Sequence, residues 1–239
     1  MSTYDVRVRR RPVKIIAVVV GFLVIGLAGF YVGWPHYRPA LRDGEAYGID
    51  VSAHQGVIDW HAVAADGIAA TYIKASEGGA LQDPRFAANW EGARAAGLKV
   101  GAYHFFTLCR SGHDQAENFL ARWREVGATP GPAVLPPVAD LELSGNCSAR
   151  PPRDQLLAEL KAFVDEVVAA TDMPVTLYVT GRFEERYPIP ADLARERWVR
   201  RLALRPGGDW AWWQVNNRAR VHGIGTPVDL NVLRTAPVS

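Results

Sequence analysis

The stretch Val134-Leu135-Pro136-Pro137-Val138-Ala139-Asp140-Leu141-Glu142-Leu143 decides how the rest of the chain is read. It has the make-up of a short buried β-strand that ends in two acids. Residues i and i+2 of a strand share a face, so Asp140 and Glu142 project side by side with α-carbons about 6.6 Å apart, while Leu141 and Leu143 point the other way. Two neighbouring carboxylates do not both ionise cheaply, so one pKa is expected to rise. A proton donor and an anionic partner then come from one strand. The alternative is a strand end whose acids simply face solvent, and the decapeptide alone leaves both open.

Upstream of this strand, residues 46–52, 70–76 and 99–106 read as three more strands, and 174–180 as a fifth. Between them lie helical stretches: one starting near Trp60 after a capping Asp59, one over 84–96 ending at Gly97, one over 113–126, and a long one from Pro151-Pro152 to Ala170. After residue 180 the rhythm changes. Residues 197–204, 210–215 and 228–233 look like strands without long helices between them. Parallel strands joined by helices are buried on both faces and read as continuous apolar runs. The expected fold class is α/β, a single irregular β/α barrel of about five β/α units plus three further strands. In such a barrel the carboxyl ends of the strands converge on one mouth. Asp50 follows the first strand, Glu77 the second, Asp140 and Glu142 the fourth, and Asp229 sits in the last. That recurrence favours a built acid cluster, the kind that glycosidic bond cleavage needs. Glu77 can instead pair with a neighbouring Lys or Arg, and Asp229 can be a cap.

The segments Tyr47-Gly48-Ile49-Asp50-Val51-Ser52 with His54-Gln55-Gly56, Ile73-Lys74-Ala75-Ser76-Glu77-Gly78, Gly101-Ala102-Tyr103-His104-Phe105-Phe106, Asp140-Leu141-Glu142, Trp213-Gln214 and Val228-Asp229-Leu230-Asn231 occur in one order. In that order the chain resembles glycoside hydrolase family 25, the muramidases called Chalaropsis-type lysozymes, over about residues 46–234. The resemblance implies an irregular barrel of five β/α units and three strands. It also implies hydrolysis of the β-1,4 bond between N-acetylmuramic acid and N-acetylglucosamine in peptidoglycan. Position by position, it implies Glu142 as general acid, Asp140 as the group that stabilises the substrate's 2-acetamido group, and Asp50 and Asp229 as further active-site acids. Trp198-Val199-Arg200-Arg201-Leu202 departs from the family's usual, more apolar strand, and either arginine could meet an acidic substrate group or solvent.

Sugar rings present apolar faces, so aromatic residues in strands are candidate platforms. Tyr103 and Tyr178, with polar tips, are the better substrate contacts. Trp213, Gln214 and Glu77 complete the expected substrate-binding set, while Phe105 and Trp198 read as core. His104 alternates away from Tyr103 and reads as a hydrogen-bonded structural histidine; His54 could approach the mouth. Cys109 and Cys147 are the only cysteines and lie three and four residues beyond neighbouring strands. Their loops share a rim, and export would oxidise them, so a Cys109–Cys147 disulfide is expected.

Residues 1–14 carry a basic run, 7–14, and are expected on the cytoplasmic side. Residues 15–34 carry no charge and are long enough to span a bilayer as a signal-anchor. A signal peptide cleaved near Gly26-Leu27-Ala28 is the rival reading. Residues 35–45 read as a polar linker and 46–239 as the barrel. The chain has 239 residues, 49% of them hydrophobic, enough for a sizeable core. Residues 44–239 carry 20 basic and 23 acidic side chains, and a mildly acidic domain without a basic stripe argues against nucleic acid. No zinc-type spacing and no Gly-rich phosphate loop occur, so no cofactor and no metal are expected. The expected partners are peptidoglycan glycan strands and, through the amino terminus, the membrane, with the chain acting as a monomer. A glycan-binding module without catalysis and a carboxylate-rich metallohydrolase are the competing functions; the full acid set and the scarcity of nearby histidines weigh against them.

Overall fold

In the computed structural model, residues 19–21, 26–27, 29–191, 193 and 196–234 are described. The expected cytoplasmic run 1–14 and much of the expected span 15–34 lie outside them. Among the described residues no helix is long and apolar enough to cross a membrane.

The elements alternate as the apolar runs require. β1 (Glu45–Val51), α1 (Trp60–Ala65), β2 (Ile68–Glu77), a two-residue β3 (Leu81–Gln82), α2 (Phe86–Ala95), β4 (Lys99–Phe105), α3 (Gly112–Glu125), β5 (Val138–Leu141), α4 (Arg153–Thr171), β6 (Thr176–Val179) and α5 (Gly181–Arg186) are followed by β7 (Glu196–Arg200), β8 (Trp212–Ala219) and β9 (Val228–Arg234). Asp59 caps α1 by accepting from the Ala62 N–H at 3.1 Å, and Ser111 caps α3 by accepting from Asp114 at 3.0 Å. The short β3 and α5 carried no strong signal in the sequence. β5 is shorter than the stretch 134–143, because Pro136 and Pro137 have no N–H to give to a ladder. Leu135 still donates to the Val100 carbonyl at 2.7 Å ahead of them.

β1, β2, β4, β5, β6, β7 and β8 pair in parallel, and β9 runs antiparallel to both β8 and β1, closing an eight-stranded barrel with β3 added to β2 as a hairpin. Because β9 is reversed, Asp229 reaches the common mouth from the amino end of its strand.

Two cores hold the barrel. Between strands and helices, Phe106, Phe119 and Phe163 pack around His104, all fully buried. Gln115 Oε1 accepts from the Thr107 N–H, so it also accepts from His104 Nε2–H at 3.2 Å, and Ser76 donates to Nδ1 at 2.8 Å. Burial lowers the His104 pKa to about 3, so it is a neutral structural histidine, as expected. Inside the barrel, Tyr72, Tyr178, Trp198 and Trp212 form an aromatic plug with ring centroids 4.7–5.4 Å apart. Rings of that size fit only where neighbouring strands give up their side chains. A Cβ on Gly101 would lie 2.2 Å from Tyr72 Cε1, and one on Gly48 2.5 Å from Trp212 Cζ3.

Residues 35–45, read as a linker, are strapped to the barrel along their length. The fully buried Asn216 donates to the carbonyls of Trp34 (2.7 Å) and Tyr37 (3.2 Å), and Arg220 N–H donates to Pro35 O at 2.8 Å. Tyr37 OH donates to Ala203 O, Arg205 to Ala40 O, and Arg38 pairs with Asp66. A chain beginning at residue 44 leaves the buried Asn216 amide without these acceptors. It is expected to fold but to be about 1–3 kcal/mol less stable than a chain beginning at residue 34; equal urea-unfolding free energies for the two would contradict this.

Candidate active site

Above the aromatic plug the barrel opens into a cavity of about 330 Å³. The four acids Asp50, Asp140, Glu142 and Asp229 line it together with Tyr103, Tyr178 and Gln214, so most of the expected site residues meet in one place. Trp198, Arg200 and Asn217 complete the wall.

β5 delivers the central pair. Asp140 is its third residue, nine-tenths buried, and Glu142 follows directly after the strand. Asp140 Oδ1 is buried and accepts no hydrogen bond from any described residue. Burial pushes Asp140 well above the usual carboxylate range; Glu142 pushes it further and Lys74 pulls it back. Burial also raises Glu142, with Arg200 opposing and Asp229 adding to the rise. The loop after Glu142 is pinned to the loop after β4. Asn146 donates to the carbonyls of Glu142 and Phe106, each at 2.9 Å, and accepts from Leu108 N–H at 2.9 Å. Next to it, Cys109 and Cys147 form the expected disulfide, with α-carbons 6.4 Å apart.

Asp50 and Asp229 face each other across the antiparallel β1–β9 ladder. Burial raises Asp50 well above the usual range, and the Asp229 charge adds to it. Burial also pushes Asp229 up to about 6, against the pull of Arg200 and a hydrogen bond with Asp50. One proton shared between the two carboxyls satisfies both shifts. Asn231 anchors the pair: it donates to Asp50 Oδ2 at 2.7 Å and accepts from Trp198 Nε1–H at 2.8 Å. On the opposite wall, Tyr178 OH donates to Gln214 Oε1 at 3.0 Å. Burial raises the Tyr103 and Tyr178 hydroxyls well above 10, so both stay protonated donors.

Two expected contacts do not reach the cavity. Glu77 is tied to Lys74 at 2.6 Å, and Lys74 in turn lies over the Phe105 ring. Trp213 is buried on the outer face of β8, where its Nε1–H donates to Arg201 O at 2.7 Å and Arg205 covers its ring. Adjacent strand residues alternate faces, so Trp213 and Gln214 cannot both look inward. His54 bonds Ser52 Oγ at 2.9 Å and does not line the cavity. Trp198, a candidate platform read more readily as core, is both core and cavity floor. Asn217 is placed by a bulge. Gln214 pairs with Asn231 and Asn216 with Leu230, so one extra residue in β8 flips its phase. Asn216 therefore faces the strap and Asn217 the cavity. The alternation of Trp198 and Arg200 could have been read from the sequence; the bulge and the role of Asn231 could not.

A closed β/α barrel that gathers four buried acids at its mouth can supply the proton donor and the anionic partner that glycosidic bond cleavage needs. Residues 49–224 match the family described as glycosyl hydrolases family 25. The protein YegX of Escherichia coli K12 is 36% identical over 227 residues, covering 84% of this chain and 77% of its own length. Lysozyme M1 of Streptomyces globisporus is 32% identical over 208 residues, covering 81% of this chain and 69% of its own. The structure of a family 25 glycosyl hydrolase from Bacillus anthracis superposes with a TM-score of 0.72 at 30% identity, over 84% of this chain and 95% of that one. The chain belongs to glycosyl hydrolases family 25 and is a peptidoglycan-cleaving muramidase.

Two outcomes follow from the geometry. Replacing Cys109 and Cys147 with serine is expected to cost about 2–4 kcal/mol of stability, read by denaturant unfolding; native thiols that label quantitatively would contradict the bond. For pH, the folded-state pKa of Asp229 lies above its ordinary value of 3.8, so the folded chain holds the extra proton. Its contribution is present below about pH 4 and lost as pH rises through about 6. Asp229→Asn should therefore show a shallower loss of stability across that window than the parent chain; parallel curves would refute the shared-proton account.

Proposed function

We propose that Glu142 is the general acid that protonates the leaving glycosidic oxygen and that Asp140 is the anion that holds the substrate's acetamido group. The convergence of both carboxyls on one cavity carries this reading. The unpartnered Asp140 Oδ1 supports the division of labour, because a buried acceptor without a donor suits an amide N–H arriving with the substrate. In the free site the strongly raised Asp140 competes with Glu142 for a proton. An N–H donated to Asp140 stabilises its anion and moves that proton to Glu142. The acetamido carbonyl then attacks C1 as Glu142 delivers its proton. Water opens the resulting oxazolinium-like intermediate from the same face, with net retention. Asp50 and Asp229, sharing a proton, take electrostatic and positioning roles. Tyr103, Tyr178 and Gln214 contact the sugars.

The bond proposed to be cut is the β-1,4 linkage on the reducing side of N-acetylmuramic acid. The uncharged run 15–34 after a basic segment supports export, either as a single-pass signal-anchor with the catalytic domain exported or by secretion after cleavage. Mass analysis of muropeptides released from purified peptidoglycan tests the activity; a reducing-end N-acetylglucosamine in place of N-acetylmuramic acid would overturn the assignment. Glu142→Gln is expected to lower turnover by roughly 10²–10⁴-fold without loss of fold. Asp140→Asn is also expected to cripple the enzyme. Proton NMR of the first-formed anomer tests the chemistry, since an initial α-anomer from the β-linked substrate would rule out retention.

A further inference from the structure

Arg200 is aimed at the cavity by the strand that carries it. In β7, Trp198 faces the barrel interior, and Arg200 two residues on shares that face where the strand reaches the mouth. Its ladder partner is Gln214, another wall residue. Among the described residues it is the one cation lining a cavity that also holds Asp50, Asp140, Glu142 and Asp229. Other arginines around the barrel are committed: Arg38 pairs with Asp66, Arg197 with Glu184 and Arg205 with Glu45. The Arg200 side chain makes no hydrogen bond and no ion pair within 4 Å to any described residue, yet its charge reaches both Glu142 and Asp229.

The sugar on the non-reducing side of the proposed cut gives such a cation a target. Muramic acid differs from glucosamine by a 3-O-lactyl ether that ends in a carboxyl group. In glycan freed of its stem peptides that group is a carboxylate; in peptide-bearing glycan it is an amide, and the carboxylates sit further along the stem. An anionic substituent entering a cavity walled by acids is repelled unless a cation receives it. A planar guanidinium takes a carboxylate with two parallel hydrogen bonds. We propose that Arg200 forms a subsite for a carboxylate carried on the muramic acid unit, and that it sets the enzyme's preference among differently substituted glycan strands. This proposal rests on the muramidase reading and deepens it.

The test measures kcat/KM on three soluble glycan substrates: strands with free lactyl carboxylates, the same strands with the lactyl acid capped as a methylamide, and strands carrying stem peptides. The parent enzyme is expected to favour a carboxylate-bearing substrate over the capped one by about tenfold or more, the scale of one charge-assisted hydrogen-bond pair. Preference for the first substrate assigns the lactyl carboxylate, and preference for the third a stem-peptide carboxylate. Arg200→Ala should bring that ratio towards one, and Arg200→Lys, which keeps the charge without the fork, should retain part of it. The proposal is overturned if the parent shows no preference. It is also overturned if Arg200→Ala lowers all three rates by one common factor, the mark of a residue that only tunes the acids. A parent enzyme that cleaves none of the three overturns the muramidase reading itself, an outcome distinct from cleavage without preference.

Discussion

Everything at the mouth of this barrel depends on crowding four carboxyl groups into one partly dry cavity. Burial penalises each as an anion, and the charges of Asp229, Asp140 and Glu142 raise their neighbours further. The fold answers with protons and fixed dipoles more than with counter-charges. Asp50 and Asp229 meet across a ladder, and Asn231 holds Asp50 in place. Asp140 and Glu142 come from one strand end and form the second pair. Lys74, which moderates Asp140, is itself held by Glu77 and by the Phe105 ring. Glu77 thus acts on Asp140 both by its own charge and by holding Lys74, without lining the cavity.

Acids can be held in this state only if the space beneath them is full. The aromatic plug of Tyr72, Trp198 and Trp212 fills it, and Gly48 and Gly101 exist on their strands because those rings leave no room for a Cβ. The plug is also wired to the acids: the indole of Trp198 donates to Asn231, which donates to Asp50. Packing and charge are therefore one problem here. A smaller ring at position 198 would open a void and release the amide that orients Asp50.

The sequence made much of this legible, for identifiable reasons. Apolar runs punctuated by Pro, Gly and capping residues marked the strands and long helices, because those signals are local. Acids at successive strand ends marked the mouth, because barrel geometry turns chain position into spatial position. What stayed hidden depends on non-local pairing. The reversal of β9, the extra residue in β8 that exchanges the roles of Asn216 and Asn217, and the strap over residues 34–44 are decided by which strands close the barrel. Trp213 was misplaced for a simpler reason: its neighbour Gln214 faces inward, and alternation sends it out.

The two acid pairs differ in a way that bears on catalysis. Asp50 faces Asp229 across the ladder and is held by the Asn231 amide. Asp140 keeps an oxygen that nothing in the described protein satisfies. A buried acceptor left open costs stability, on the order of 1–3 kcal/mol for such a group. A fold tolerates that cost where the missing donor arrives with the substrate, because its arrival then changes the ionisation of the site as well as filling a gap. In the proposed mechanism, binding energy from the acetamido group is converted into a proton placed on Glu142, beside the bond that breaks. The strained pair is the one kept free to respond, while the satisfied pair fixes the field in which it does so.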